Sequence, residues 1–316
     1  MGDTIVLFRT HYYDDYLGSL ADKIILQTKC DVCFVVDERE KTVEIPQRFH
    51  KVSHTIEAIT DLGIFTDCSN VFWRCGDYIF YNALKYFHEA TLFWIIEPDI
   101  LINFENLSDF FEPLAAKPEI DFLALLYGPR DSSWGHNFNA MKKFHDNVYG
   151  CSYSFMRLSR EAVRYLLCER QNLTKKYFMT SENEEKLSEY FWPNDEGFTA
   201  TKLFEAGFKI ADMNSLGRIV YTAKSLYEGP FSPKKLAQLG HDNLIYHHVF
   251  TGKEYTRRAL KSLEWENIAM SSTENFYNRF HRPDIYSSLA EEDSFEGIHE
   301  YIIRFSEILL ERAWAK

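Results

Sequence analysis

The stretch Phe93–Ile100 (FWIIEPDI) decides how this chain is interpreted, because an apolar run ends abruptly in two carboxylates separated by one proline. The run is short, aromatic and β-branched, which predicts a buried strand. Side chains two residues apart on a strand point to the same side, so Glu97 and Asp99 are placed to share one ligand. Two acids at the rim of a buried sheet are costly unless a cation or hydrogen-bond donors compensate them. The stretch therefore predicts a divalent-metal site, and a loop acid beside a helix N-cap is the alternative.

The composition is that of a globular protein with an acidic surface. The chain has 316 residues, of which 46% are hydrophobic and 26% are charged, so it can bury a core as one large domain or two small ones. The net charge of −12 argues against nonspecific nucleic-acid binding. The same charge means that a phosphorylated substrate needs a metal ion or a local basic cluster.

Nothing in the sequence points to secretion or to a membrane span. Residues 1–8 predict a first strand rather than a signal peptide, and no apolar run approaches the roughly 18 residues of a membrane span. The pair Cys30 and Cys33 leads directly into a strand, and no second pair with zinc-ligand spacing follows. We therefore expect reduced cysteines and a cytoplasmic protein.

Strands alternate with helices in the first half of the chain, which predicts an α/β domain with a mostly parallel central sheet flanked by helices. In such sheets, ligands bind beyond the carboxyl ends of the strands, where Asp37, Glu97 and Asp99 lie. A helix over 106–112 is expected to stop at Pro113, a helix over 77–89 to begin at Asp77, and 128–146 to form a long loop. The predicted domains are a catalytic domain, 1–256, with halves 1–127 and 128–256, and a helical C-terminal extension, 257–316.

Four segments occur in an order similar to that of glycosyltransferases with the GT-A fold. The strand ending in Glu97-Pro98-Asp99 resembles their acidic metal-binding motif, and 150–160 resembles the strand that lines the acceptor side. Residues 194–198 (NDEGF) resemble the acidic turn where inverting members keep the catalytic base, and 245–249 (IYHHV) resemble the late strand whose histidine completes the metal site. The resemblance covers residues 1–250 and implies a Rossmann-like GT-A fold.

The resemblance implies a metal site with Asp99 as the first candidate ligand. Glu97 departs from the usual aspartate and is assigned either a water-mediated metal contact or a ribose contact. His247 and His248 are expected to alternate faces on a strand, so that only one of them enters the site; surface or core histidines are the alternative. A divalent cation would stabilise a departing diphosphate, and a histidine ligand favours Mn²⁺ over Mg²⁺.

Two adjacent acids are the candidates for the catalytic base. An inverting transferase needs a carboxylate that takes the proton of the acceptor hydroxyl, and Asp195 and Glu196 lie where the resemblance implies one. Asp195 is also a good helix N-cap, and a helix N-terminus stabilises carboxylate charge, which would weaken it as a base. Glu196 is placed to avoid the capping role.

Polar residues of the amino-terminal half are candidates for binding the nucleotide. Arg9 and Thr10 follow the first strand and are expected near the diphosphate. Asp37 follows the second strand and is expected near the base or ribose. Arg74 is a candidate to neutralise phosphate charge. Asp77 is expected either to bind ribose or to cap a helix.

These features predict a metal-dependent, inverting glycosyltransferase that acts on a nucleotide-sugar donor and a glycan or lipid-linked glycan acceptor, in capsule or lipopolysaccharide synthesis. The amphipathic helix at 301–315 favours packing on the domain or in a homodimer over peripheral contact with the inner face of the membrane. One rival is a sugar nucleotidylyltransferase, although 9–15 lack the glycine-rich basic loop expected of one. The second rival is a carbohydrate-binding or scaffold protein without activity.

Overall fold

The computed structural model describes residues 3–67, 70–179, 192–270, 272–293 and 295–314. The chain divides into two compact units. Unit 1 comprises Met1–Pro98 and Asn106–Ile219, and unit 2 comprises Asp99–Glu105 and Val220–Lys316. The predicted domain boundary after residue 256 stays a prediction.

Unit 1 is built around one seven-stranded sheet. Its strands are β1 (Thr4–Thr10), β2 (Asp31–Asp37), β3 (His50–His54), β4 (Leu92–Ile96), β6 (Phe122–Pro129), β7 (Tyr149–Ser159) and β8 (Ile210–Asp212). They lie in the order β3-β2-β1-β4-β7-β6-β8. All neighbouring strands are parallel except β7, which is antiparallel to both β4 and β6. This arrangement confirms the predicted α/β class with a mostly parallel central sheet.

Helices flank the sheet and connect its strands. They are α1 (Asp15–Thr28), α2 (Ile56–Thr60), α3 (Val71–Arg74), α4 (Tyr78–Ala83), α5 (Ser108–Ala115), α6 (His136–Lys142), α7 (Arg160–Met179) and α8 (Asp195–Glu205). Every residue of β4 is buried, as expected for a strand with side chains covered on both faces. Because β1 to β4 run parallel, Thr10, Asp37, His54 and Glu97 lie at the same edge of the sheet.

Three local predictions differ from the structure. Helix α5 continues through Pro113 to Ala115, because the Asp109 carbonyl, which Pro113 has no N–H to satisfy, accepts a hydrogen bond from Arg218 at 2.9 Å. Helix α4 ends at Ala83 rather than near residue 89. The predicted loop 128–146 contains a 3₁₀ turn and α6.

Unit 2 contains a two-stranded antiparallel sheet and a helical bundle. Strand β5 (Ile100–Ile102) pairs with β9 (Ile245–His247). Helices α9 (Ala223–Tyr227) and α10 (Pro233–Leu239) precede β9, and α11 (Gly252–Ala269), α12 (Thr273–Phe280), α13 (Pro283–Glu292) and α14 (Phe295–Trp314) follow it. Their shared core includes Tyr255, Leu263, Phe276, Leu289 and Phe305. Among the described residues, no helix combines the length and the apolar character that crossing a membrane requires.

Candidate functional site

An ion pair joins two neighbouring strands at the carboxyl edge of the sheet in unit 1. Arg9 near the end of β1 places Nη1 2.6 Å from Oε1 of Glu97, the residue that follows β4. The same guanidinium donates through Nη2 to the backbone carbonyls of Phe72 and Trp73. Burial opposes the charge on Arg9, but the Glu97 and Asp195 carboxylates outweigh it and raise the arginine pKa. Arg9 is thus a fixed cation, and Glu97 lies at the predicted edge with its carboxylate bound to that cation.

Asp195 begins α8 directly beside this pair. Its Oδ2 accepts a hydrogen bond from the Gly76 amide at 2.7 Å, and its Oδ1 accepts one from the Glu196 amide at 2.7 Å. Its Oδ2 also lies 3.9 Å from Arg9 Nη1. Burial is the largest cause that raises the pKa of Asp195 well above its usual range; Arg9 opposes that rise, and the Glu196 charge adds to it.

The helix cap falls on a different residue from Asp195. Asn194 is the N-cap of α8, and its side chain accepts from the Gly197 amide at 3.2 Å. Asp195 therefore does not cap the helix. Its carboxylate instead binds the Gly76 amide and so joins the segment before α4 to the start of α8.

Glu196 has a carboxylate with a raised pKa. Burial, followed by repulsion from the Glu97 carboxylate, raises the pKa of Glu196 to about 7. Its Oε2 accepts a bond of 3.3 Å from Asn194 Nδ2, and the charge of Arg130 limits the pKa rise. A base with a pKa near the working pH combines a useful ionised fraction with a real affinity for the proton.

Gly76 makes the approach of Arg9 and Asp195 possible. A Cβ at this position would lie 2.5 Å from Arg9 Nη1 and 2.7 Å from Asp195 Oδ2. Any side chain would therefore displace one of these two charged groups. The absence of a side chain explains why a glycine stands between α3 and α4.

Two of the predicted nucleotide ligands are structural instead. Asp77 is fully buried, and Arg170 binds it through two hydrogen bonds of 2.7 and 3.0 Å. Tyr81 donates a third at 2.8 Å, and Asp77 makes no side-chain cap bond to α4. Asp77 is the N-cap residue of α4, as predicted. The predicted ribose contact is wrong, because the buried Arg170 binds its carboxylate. Arg74 is also buried and donates to the Trp192 carbonyl at 3.2 Å, so its guanidinium is directed into the core rather than towards a phosphate.

The other nucleotide candidates lie at the predicted edge but have local partners. Thr10 is buried, and its hydroxyl bonds the backbone of Tyr12. Asp37, at the end of β2, forms a bidentate pair with Arg39. Their contacts with a nucleotide stay predictions.

Sequence patterns missed two residues of this edge. His54 ends β3 opposite Asp37, and burial lowers its pKa to about 3. Trp73 is 75% exposed, although its neighbours on α3 are buried. Tyr153 and Trp192, in contrast, are buried in the core.

Unit 2 contains the predicted cluster of metal-ligating residues. Asp99 precedes β5, and its Oδ2 lies 3.6 Å from His247 Nε2 at the end of β9. With His248, these residues offer one ligand atom each, and the three atoms all lie within 4.8 Å of one another. Two imidazoles and one half-buried carboxylate fit a divalent transition ion such as Mn²⁺ and leave coordination positions for oxygens of a substrate.

The predicted alternation of His247 and His248 is wrong. Strand β9 ends at His247, and His248 adopts a left-handed backbone with φ +66°. This turn brings the two rings into a stack with centroids 3.8 Å apart. Gly229 makes room for it, since a Cβ there would lie 2.7 Å from the His248 Cβ. Both imidazoles can therefore serve the same ion.

The chain is similar to solved structures but matches no protein-family model. No curated protein sequence matches it either. The structure is similar to a glycosyltransferase involved in glycosylation of the major capsid of PBCV-1, with 11% identity and a TM-score of 0.33 over 78% of this chain and 93% of the other.

Two further solved structures are similar at the same level. Mouse xyloside xylosyltransferase 1 in its apo form is 12% identical with a TM-score of 0.40, covering 77% of this chain and 97% of the other. The 4-diphosphocytidyl-2C-methyl-D-erythritol synthase of Anaerococcus prevotii is 10% identical with a TM-score of 0.28, covering 70% and 93%.

Proposed function

We propose that this protein is a metal-dependent glycosyltransferase that moves a sugar from a nucleotide-diphosphate donor to a hydroxyl of a glycan acceptor, with inversion. The observation that carries the proposal is Glu196, a carboxylate with a pKa of about 7 at the start of α8, beside the Arg9–Glu97 pair at the ligand-binding edge of an α/β sheet. Enzymes that abstract a proton near neutral pH tune a carboxylate in this way.

Glu196 is assigned the role of base, and Asp195 that of a positioning residue. Glu196 takes the proton of the acceptor hydroxyl while that oxygen bonds to the anomeric carbon. The bond from the anomeric carbon to the phosphate oxygen breaks, and the diphosphate leaves with the electron pair. Asp195 is saturated by the Gly76 and Glu196 amides and by the nearby Arg9, so it holds α8 in place rather than taking the proton.

The cluster of unit 2 is assigned to the metal. A divalent cation held by Asp99, His247 and His248 would stabilise negative charge on the departing diphosphate. The two imidazoles favour Mn²⁺ over Mg²⁺. A chain with a net charge of −12 repels a diphosphate. A bound divalent cation would offset that repulsion.

The setting is part of the proposal. We assign a glycan or lipid-linked glycan as acceptor, and bacterial capsule or lipopolysaccharide synthesis in the cytoplasm as the process. We also propose that the C-terminal helices pack on the domain or in a homodimer, in preference to peripheral contact with the inner face of the membrane.

The test is transfer from a panel of UDP-, GDP- and CMP-activated sugars to methyl glycosides, with Mn²⁺, Mg²⁺ or EDTA, followed by mass spectrometry of the products. We expect one donor base to support transfer with Mn²⁺, and EDTA to abolish it. Proton NMR of the product reports the anomeric configuration, which should be opposite to that of the donor. Sugar binding without metal dependence or turnover would instead favour a carbohydrate-binding protein.

A further inference from the structure

Trp73 is an exposed aromatic residue set among buried ones. Its side chain is 75% exposed, whereas Phe72 and Arg74 on either side are each 4% exposed. Exposed apolar residues are common one at a time, so exposure alone does not indicate a ligand. The contacts of the backbone around Trp73 supply the further evidence.

The segment from Trp73 to Gly76 is tied to the carboxylate cluster at both ends. Arg9 Nη2 donates to the Trp73 carbonyl at 2.9 Å while Nη1 of the same guanidinium pairs with Glu97. The Gly76 amide donates to Asp195 at 2.7 Å. The backbone that carries the indole is therefore fixed relative to the start of α8, which bears Glu196.

Polar groups contact the residues next to the indole. Arg9 pairs with Glu97 and donates to the Trp73 carbonyl. The Arg39 guanidinium covers the ring of the preceding residue, Phe72, at 4.6 Å and pairs with Asp37. A sugar ring presents an apolar C–H face and a rim of hydroxyls, so an aromatic platform among hydrogen-bonding groups suits its chemistry.

We infer that Trp73 is an acceptor-binding residue whose indole stacks on the sugar ring that carries the attacking hydroxyl. The inference rests on the proposed function, because the base must lie within hydrogen-bond reach of that hydroxyl. The acceptor ring therefore lies beside α8, to which the Trp73 segment is bound. The nucleobase of the donor does not have to lie within hydrogen-bond reach of Glu196. The position of Trp73 therefore favours the acceptor sugar as the group that stacks on the indole.

The experiment compares Trp73→Ala and Trp73→Phe with Trp265→Ala, a control in unit 2 whose side chain is 67% exposed. Calorimetry measures binding of the methyl glycosides of glucose, galactose, mannose and N-acetylglucosamine, and separately of UDP and GDP. We expect Trp73→Ala to weaken binding of the preferred glycoside about tenfold, as loss of an aromatic stacking contact does. Trp73→Phe should retain most of the affinity, and Trp265→Ala all of it.

The measurements with UDP and GDP distinguish an acceptor-binding role of Trp73 from a nucleobase-binding role. They also show whether the variant is folded. Unchanged UDP or GDP affinity in Trp73→Ala supports the inference, whereas a loss of nucleotide affinity with glycoside binding intact shows a nucleobase platform and overturns it. Unchanged affinity for every ligand overturns it too, as does a wild-type protein that binds none of the four glycosides.

Turnover distinguishes failure of this inference from failure of the proposed function. If the wild type transfers sugar but Trp73→Ala leaves the KM for the acceptor unchanged, the inference fails and the function stands. If the wild type transfers no sugar while Trp73→Ala still weakens glycoside binding, the function fails and Trp73 remains a sugar-binding residue.

Discussion

Asp77 and Arg170 form a bidentate ion pair in which both side chains are fully buried, with nitrogen–oxygen distances of 2.7 and 3.0 Å. Arg170 also donates to the Pro193 carbonyl at 2.8 Å, and its guanidinium packs 3.7 Å from the Phe198 ring centroid. The pair therefore lies beneath both ends of the turn that presents Asp195 and Glu196. It supports the candidate base from within the core.

Removal of one member of this pair should strongly destabilise the protein. Asp77→Ala leaves the Arg170 charge buried without its partner, and we expect a loss of about 3–5 kcal/mol in the free energy of unfolding. Urea denaturation measures it. The matched control is Asp22→Ala, which breaks the exposed Arg48–Asp22 pair and should cost less than about 1 kcal/mol. Equal effects of the two variants would contradict the structural role of Asp77.

Glu196 and Asp195 should separate in kinetics. Glu196→Gln removes the proton acceptor, and we expect kcat to fall by a factor of about 10²–10⁴ with donor affinity retained. In the wild type, kcat should decline below pH 7, because protonation of Glu196, with a pKa of about 7, removes the base. That acidic limb should be absent from the residual activity of Glu196→Gln. A Glu196→Gln enzyme with full turnover refutes the assignment.

The raised pKa of Glu196 also predicts the pH dependence of stability. The pKa is about 7 in the folded protein against an ordinary value of 4.5, so between these values the folded state binds more protons than the unfolded state. Stability from this group is complete below pH 4.5 and is lost as the pH rises through 7, by up to about 3 kcal/mol. Glu196→Gln should therefore gain stability relative to the wild type between pH 5 and pH 8. Denaturation at both pH values measures this; a constant difference would contradict the raised pKa.

Both histidines of unit 2 should contribute to metal binding. The His247 and His248 rings stack on each other, and one ligand atom from each lies within 4.8 Å of a carboxylate oxygen of Asp99. We therefore expect His247→Ala and His248→Ala each to weaken Mn²⁺ binding at least tenfold in an electron paramagnetic resonance titration. His299→Ala, at an exposed position of α14, is the control and should change nothing. An effect confined to one of the two histidines would show that the other is not a ligand.

Gly76→Ala should lower kcat while the protein remains folded. The new methyl group would meet Arg9 Nη1 and Asp195 Oδ2 at less than 3 Å, so one of these two charged groups must move. We expect kcat to fall about tenfold or more, as small misplacements in an active site do. Gly128→Ala is the control, because the nearest atom to a Cβ there is 4.0 Å away. Equal activity of the two variants would argue that the Gly76 approach has no role.

Local sequence patterns were enough to predict the types of secondary structure and the positions of the acidic residues. Short apolar runs specify buried strands, and the alternation with helices specifies a mostly parallel sheet, because hydrophobic periodicity is a local property. Parallel strands then bring their carboxyl ends to one edge, so Asp37 and Glu97 were placed at that edge without a structure. The His-His pair and the Asp-Glu pair were visible as adjacent polar residues.

Which of these side chains belong to a candidate site, and which stabilise the fold, depends on contacts between distant parts of the chain. The pairs Arg9–Glu97, Asp77–Arg170 and Gly76–Asp195 join residues 88, 93 and 119 positions apart. No local pattern encodes such partners, because they depend on how separate elements pack. Burial and the nearby Glu97 carboxylate raise the pKa of Glu196. Arg170 binds the Asp77 carboxylate. The left-handed backbone of His248 lets its ring stack on that of His247. Each outcome reflects the cost of leaving a buried charge uncompensated or of closing a turn, and that cost is set only when the chain is folded.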